Sequence, residues 1–181
     1  MKTRFISLLL LALVGLTSTS CLKDDYLFDY DNMKSVIELP YLDHSKTLSY
    51  KAGATSVSTN LYVNYSIANW RDIKEDIPVE LSIDESLLGG AKLLPASAYN
   101  LKFPLTMTIL RASEQEKLSQ DVHDGKKLNW QSAQEVLTIN LTDPNLVSGT
   151  KYALPLTISS VPSQYTVSGN FRTMVFYVTA P

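Results

Sequence analysis

Three observations predict an all-β chain folded as a sandwich of about seven or eight strands. Five separate runs alternate apolar and polar residues with a period of two. Turn residues break those runs at short intervals. A single short, polar stretch has helical character. Strands that each carry one apolar face must bury it against a second sheet, which is the sandwich solution.

The elements follow in order. Weak strands are expected at 35–39 and 47–50. The clearest strand is 57–67: Val57, Thr59, Leu61, Val63, Tyr65 and Ile67 share one face, and Ser58, Asn60, Tyr62, Asn64 and Ser66 share the other. Alternation of this kind marks a half-buried strand. Val79, Leu81 and Ile83 repeat it after Pro78, and Leu105, Met107 and Ile109 after Pro104. Leu137, Ile139 and Leu141 form a further row, as do Tyr152, Leu154, Leu156 and Ile158. Residues 171–178 are apolar or β-prone on both faces, which suits a central strand. Pro155 has no N–H to give a ladder, so its strand is expected at an edge or bulged there. Turn signals fall at Gly53, Gly89-Gly90, Asp143-Pro144-Asn145, Gly149 and Gly169-Asn170. The helical candidate is 112–122, inside an excursion expected to cover 111–134.

Ahead of the domain stands a segment of another kind. Lys2 and Arg4 precede an apolar run from Phe5 to Leu16, small residues occupy 17–20, and Cys21 follows. That is the order of a secretory signal. The run of 12 residues is short of the roughly 20 that span a bilayer. Residues 1–20 are therefore expected to be removed, with 21–33 a tether and 34–181 one domain.

Cys21 is the sole cysteine of the chain. Its place resembles the acylation site of bacterial lipoproteins, although Ser18 stands where a branched aliphatic residue is usual. The other explanation is an ordinary signal with a chance cysteine. Two or more acyl chains hold a protein stably at a membrane. Lys23, Asp24 and Asp25 resemble the signal that sends Bacteroidetes lipoproteins to the outer face of the outer membrane. The competing explanation is a merely solvated acidic tether.

Removing residues 1–20 from the 181 leaves 161, enough to bury a core without disulfides. Without Lys2 and Arg4 the basic residues number 14 against 18 acids, a formal charge of −4. Basic residues do not cluster, so no nucleic-acid partner is expected.

Two stretches carry a family likeness. One is 78–88, PVELSIDESLL, followed by 93–101, LLPASAYNL. The other is 137–161, LTINLTDPNLVSGTKYALPLTISSV. The chain resembles the Ig-like N-terminal domain family of unknown function found in Bacteroidetes surface lipoproteins. That family occurs with lectin-like domains and family-18 glycosidases in glycan-utilisation operons. The resemblance implies an Ig-like antiparallel sandwich and a glycan-related role. Tyr99 and Tyr152 in these stretches are expected to pack their rings and send their hydroxyls to the backbone.

Catalytic constellations are not evident. His44 and His123 lie in expected loops, no nucleophile elbow occurs, and no zinc spacing is present. No metal and no cofactor is expected. The densest acids, from Asp72 to Glu85, read as a solvated face rather than the carboxylate pair of a glycosidase. The chain is accordingly read as no enzyme.

Glycan binding has candidates. Trp70 and Trp130 lie in expected loops beside amides and acids, where sugar-stacking rings concentrate. The competing role for each is to plug an open end of the sandwich. Tyr62 and Asn64 share the outward face of the best strand and form a second platform. The expectation is a non-catalytic outer-membrane lipoprotein facing the cell exterior. It would bind a polysaccharide or oligosaccharide, or scaffold outer-membrane partners in a polysaccharide-utilisation system. The alternative is a protein–protein assembly or adhesin-like module that pairs through an edge strand.

Overall fold

The alternating runs become the strands of two stacked sheets. The computed structural model describes residues 35–41, 43–120 and 131–181. In order these form β1 (Val36–Glu38), β2 (Ser45–Thr47), β3 (Ser56–Ser66), β4 (Ile77–Ile83), β5 (Lys92–Leu93), β6 (Leu105–Ile109), α1 (Ala112–Gln120), β7 (Ser132–Asn140), β8 (Lys151–Ser160), β9 (Thr166–Val167) and β10 (Thr173–Thr179). Among the described residues, one sheet has the order β7-β3-β1-β9 and the other β2-β10-β8-β4-β6, with β5 also on β8. Residues 34–181 form one compact unit.

The core lies between the sheets and is built from the inward set of each strand. Leu61 and Val63 of β3, Leu137 and Ile139 of β7, Val79 and Leu81 of β4, Leu154, Leu156 and Ile158 of β8, and Met174, Phe176 and Val178 of β10 are all buried. Each such side chain contributes about 1.5–3 kcal/mol by leaving water. The non-periodic strand 171–178 lies between β2 and β8, as its two apolar faces require. Its outward Val175 is also buried.

Among the described residues, seven of the ten strands correspond to the runs read from sequence; the strand expected at 47–50 forms instead at Ser45–Thr47, sharing only Thr47 with that expectation. The additions, β5 and β9, have two residues each and are too short to show a period. The pairing is not wholly antiparallel: β1 joins β9, β2 joins β10 and β5 joins β8 in parallel. The helix forms at Ala112–Gln120, but 132–134 belong to β7 and not to the excursion.

Pro155 is a correction. It sits in the middle of β8, opposite Val175 of β10. On its other side β8 changes neighbours, from β5 at Tyr152 and Ala153 to β4 from Leu156 onward. The residue without an N–H falls at that junction, where a ladder bond is not demanded. The register shift lies further along, at Glu80/Leu81.

Two tight features position the loops. Gly89 and Gly90 both have positive φ, 56° and 84°, a conformation that strains any residue with a Cβ. Gln115, buried on α1, donates to the Leu110 carbonyl and accepts from the Gln131 N–H at 3.4 Å. Gln131 Nε2 in turn donates to the Ile67 carbonyl at 2.8 Å. The two glutamines thereby tie the helix to the junction of β3 and β7.

Candidate functional site

β1 is short, and that shortness makes the site. β3 pairs with β7 from Ser56 to Asn64, but with β1 only from Asn64 to Ser66. Among the described residues, the β1 side of β3 therefore has no strand beside it along 56–62. The chain leaves β1 there and crosses to the other sheet, where β2 pairs with β10.

Tyr41, on that crossover, fills part of the vacancy. Its hydroxyl donates to the Asn60 carbonyl at 2.8 Å and accepts from the Tyr62 N–H at 3.2 Å. These backbone groups would otherwise lack a ladder partner, and buried ones cost free energy when unpaired. The Tyr41 ring meets Phe176 edge-on at 5.7 Å, which fixes it against the core. Burial pushes its hydroxyl up to about 12, so it stays protonated across the physiological range.

What remains is an open depression of about 420 Å³ lined by Tyr41, Lys46, Ser58, Thr59, Asn60, Tyr62 and Val136. Asn60 Nδ2 donates to the Tyr62 hydroxyl at 2.8 Å. Lys46 Nζ, from β2, donates to Thr59 Oγ1 at 2.8 Å. Val136 of β7 stands opposite Asn60 and is 46% exposed. The site thus combines two phenol rings, an exposed aliphatic side chain, an amide, hydroxyls and one cation. Those groups suit a polyhydroxylated ring, with an apolar face to stack on and polar groups to orient it.

Tyr62 and Asn64 lie on the outward face of β3 as expected, but their surroundings differ. Asn64 belongs to a row across three strands: Ser132 Oγ donates to its Oδ1 at 2.9 Å, and its Nδ2 reaches Glu38 Oε1 at 3.4 Å. Only Tyr62 of the pair lines the depression. Trp70 is half-buried and packs against the core cluster, in the turn Trp70–Asp72. Arg71 covers its ring at 4.6 Å. The neighbouring Asn69 caps that turn by accepting from the Arg71 N–H at 3.1 Å. Trp130, Cys21, Lys23, Asp24 and Asp25 lie outside the described residues.

Tyr41 and Lys46 were not among the sequence candidates. They sit in non-periodic sequence and reach the site by a change of sheet. Asn60, by contrast, shares the outward parity of Tyr62 and was visible on that ground.

The acids have individual duties. Asp84 Oδ1 accepts from the Ser86 N–H at 3.1 Å and from its hydroxyl at 2.6 Å, capping a turn. Glu80 accepts from the Ser159 hydroxyl at 3.0 Å. Glu75 accepts from Gln164 Nε2 at 2.7 Å and from the Tyr165 hydroxyl at 2.9 Å. Those two donors hold its carboxyl below the ordinary 4.5. Among the described residues no three of His, Cys, Asp and Glu group as metal ligands. No helix among them is long and apolar enough to cross a membrane. Tyr152 behaves as expected, its hydroxyl accepting from the Val147 N–H at 3.0 Å. The half-buried Tyr99 ring meets Phe103 at 6.0 Å.

Fold and site together define an all-β sandwich with an open polar-aromatic depression beside β3. No protein-family model matches the sequence, and no curated protein matches it. Solved structures do share the fold. A candidate carbohydrate-binding protein from Bacteroides ovatus superposes with a TM-score of 0.51 at 14% identity, over 81% of this chain and 37% of its own. A two-domain protein of unknown function from Bacteroides fragilis gives a TM-score of 0.50 at 11% identity, over 82% of this chain and 46% of its own. The chain thus spans less than half the length of either. At such identities the likeness is one of fold.

Proposed function

We propose that this protein is a non-catalytic glycan-binding or glycan-scaffolding lipoprotein of an outer membrane, held by acyl groups on Cys21 and displayed outward by Lys23, Asp24 and Asp25. The observation that carries the glycan reading is the depression beside β3, where the Tyr62 ring and Val136 adjoin Asn60, Ser58 and the fixed hydroxyl of Tyr41. The fold it shares with a candidate carbohydrate-binding protein supports the same reading. The absence of a catalytic pair from the sequence patterns supports a role in capture rather than cleavage.

Retention on a polysaccharide array tests it, with the full chain in mild detergent. Tyr62→Ala is expected to abolish retention with little change in melting temperature, because Tyr62 is only half-buried. Trp70→Ala separates the two platforms. Loss of binding on Trp70→Ala with Tyr62→Ala unaffected would move the site to the 70–72 turn. Mass spectrometry of the native protein tests the anchor, with acylated Cys21 expected. An unmodified thiol defeats that half of the proposal.

The assembly alternative needs a free strand edge. The outer edge of β7 is engaged by Tyr99 and Asn100. β6, the terminal strand of the larger sheet, is the edge that this alternative would use.

A further inference from the structure

The charge inside the depression narrows the ligand. Lys46 is its one ionisable cation, and no Asp or Glu is among the lining residues. None of the ion pairs among the described residues includes Lys46. The other described residues that line the depression with it are neutral. An ammonium has three donors, and one is directed to Thr59 Oγ1 at 2.8 Å.

Lys46 is also well placed. Its backbone is in register with Phe176 of β10, and Phe176 packs against the Tyr41 ring. Thr59, its hydrogen-bond partner, is 8% exposed. Lys46 itself is exposed, and its hydrogen bond to the buried Thr59 holds the ammonium in the depression that Tyr62 also lines. In a chain whose acids outnumber its bases, 18 against 16, a cation held among tyrosines and amides without a counter-charge calls for an anion from outside.

We infer that the depression takes an acidic saccharide, a sugar bearing a carboxylate, with Lys46 meeting the carboxylate while the ring lies against Tyr62 and Val136. The inference rests on the glycan reading above and adds the class of sugar. A neutral sugar would leave the ammonium without a counter-charge, whereas a carboxylate would give it a charge-assisted hydrogen bond. A purely structural Lys46, serving only the Thr59 hydroxyl or guarding the β2 edge, predicts no selectivity for ligand charge.

Selectivity is therefore what the experiment reads. The full chain is assayed against polygalacturonate, alginate and hyaluronate, each beside its carboxyl-reduced form. Retention of an acidic member, with its reduced form bound about tenfold more weakly, is expected for one charge-assisted hydrogen bond. Lys46→Met should bring the acidic member down to the level of the reduced one, and Lys46→Arg should keep the preference. A melting curve for each variant separates folding from recognition. Equal binding of both forms, or an unchanged preference in Lys46→Met, overturns the inference and leaves the glycan reading standing. No retention of any acidic member, with neutral glycans retained in a Tyr62-dependent way, also overturns it. No retention of any glycan overturns both.

Discussion

Asn100 stands in for a strand beside Thr138. Its backbone N–H donates to the Thr138 carbonyl at 3.2 Å, and its Oδ1 accepts from the Thr138 N–H at 2.7 Å. Its Nδ2 donates to the Val136 carbonyl at 2.9 Å. One residue thereby satisfies three outward backbone groups of β7, an edge strand that would otherwise offer them to another chain. The likeness of the amide side chain to a peptide group is what allows it.

Asn100→Ala should thus be costly for an exposed position. It removes two side-chain bonds and leaves the Thr138 N–H and Val136 carbonyl to water. A loss of about 1–2 kcal/mol in denaturant unfolding is expected. Faster amide exchange at Thr138, with exchange at Leu61 scaled only by the global change, would locate the effect. Unchanged exchange at Thr138 would refute the role assigned to Asn100.

Tyr41→Phe tests the vacancy beside β3. The ring and its contact with Phe176 are kept, while the hydroxyl that bridges Asn60 and Tyr62 is lost. Stability should fall by about 1–2 kcal/mol, and glycan retention should weaken because Tyr62 loses a fixed backbone. Wild-type retention at reduced stability would separate the bridge from recognition.

The pair Glu75 and Tyr165 joins the loop before β4 to the one before β9, and it sets a pH dependence at both extremes. Glu75 titrates below its ordinary 4.5 in the folded protein, because Gln164 and Tyr165 donate to its charged form. Its stabilisation is present above 4.5 and disappears as pH falls through the lowered value. Tyr165 is raised from 10.0 to about 12, by burial first and by Glu75 second. Its contribution is complete below pH 10 and is lost as pH rises through about 12. Melting temperature against pH should show both slopes, and Glu75→Gln should flatten the acid one. An acid slope unaltered in Glu75→Gln would assign it to other carboxylates.

Leu61→Ala examines the core under the site. Leu61 is 0% exposed on the inward face of β3. Truncation of such a residue costs about 2–5 kcal/mol, through lost burial and the cavity left behind. Equilibrium unfolding measures it, and a cost under about 1 kcal/mol would mean that the two sheets close over the gap.

Much of the fold was legible in the residues themselves. Burial of one face imposes a period of two, so β3, β4, β6, β7 and β8 announced both their positions and their inward sets. That parity also put Tyr62 and Asn64 on the outward face. It could not show that Asn64 would be occupied by Ser132 and Glu38, because those partners lie 68 and 26 residues away. Nor could it show that the Trp70 ring would be covered by Arg71, a matter of rotamer and packing.

By itself the sequence determined an all-β body and the faces of its main strands. Those features are written in neighbouring residues, where local periodicity and composition act. Tertiary structure alone decided the parallel pairings, the place of Pro155 at a change of neighbours, and the meeting of Tyr41 and Lys46 with Tyr62. Each of these depends on which strand lies beside which. That choice is made by burying whole sheets against one another, so no short stretch of chain encodes it.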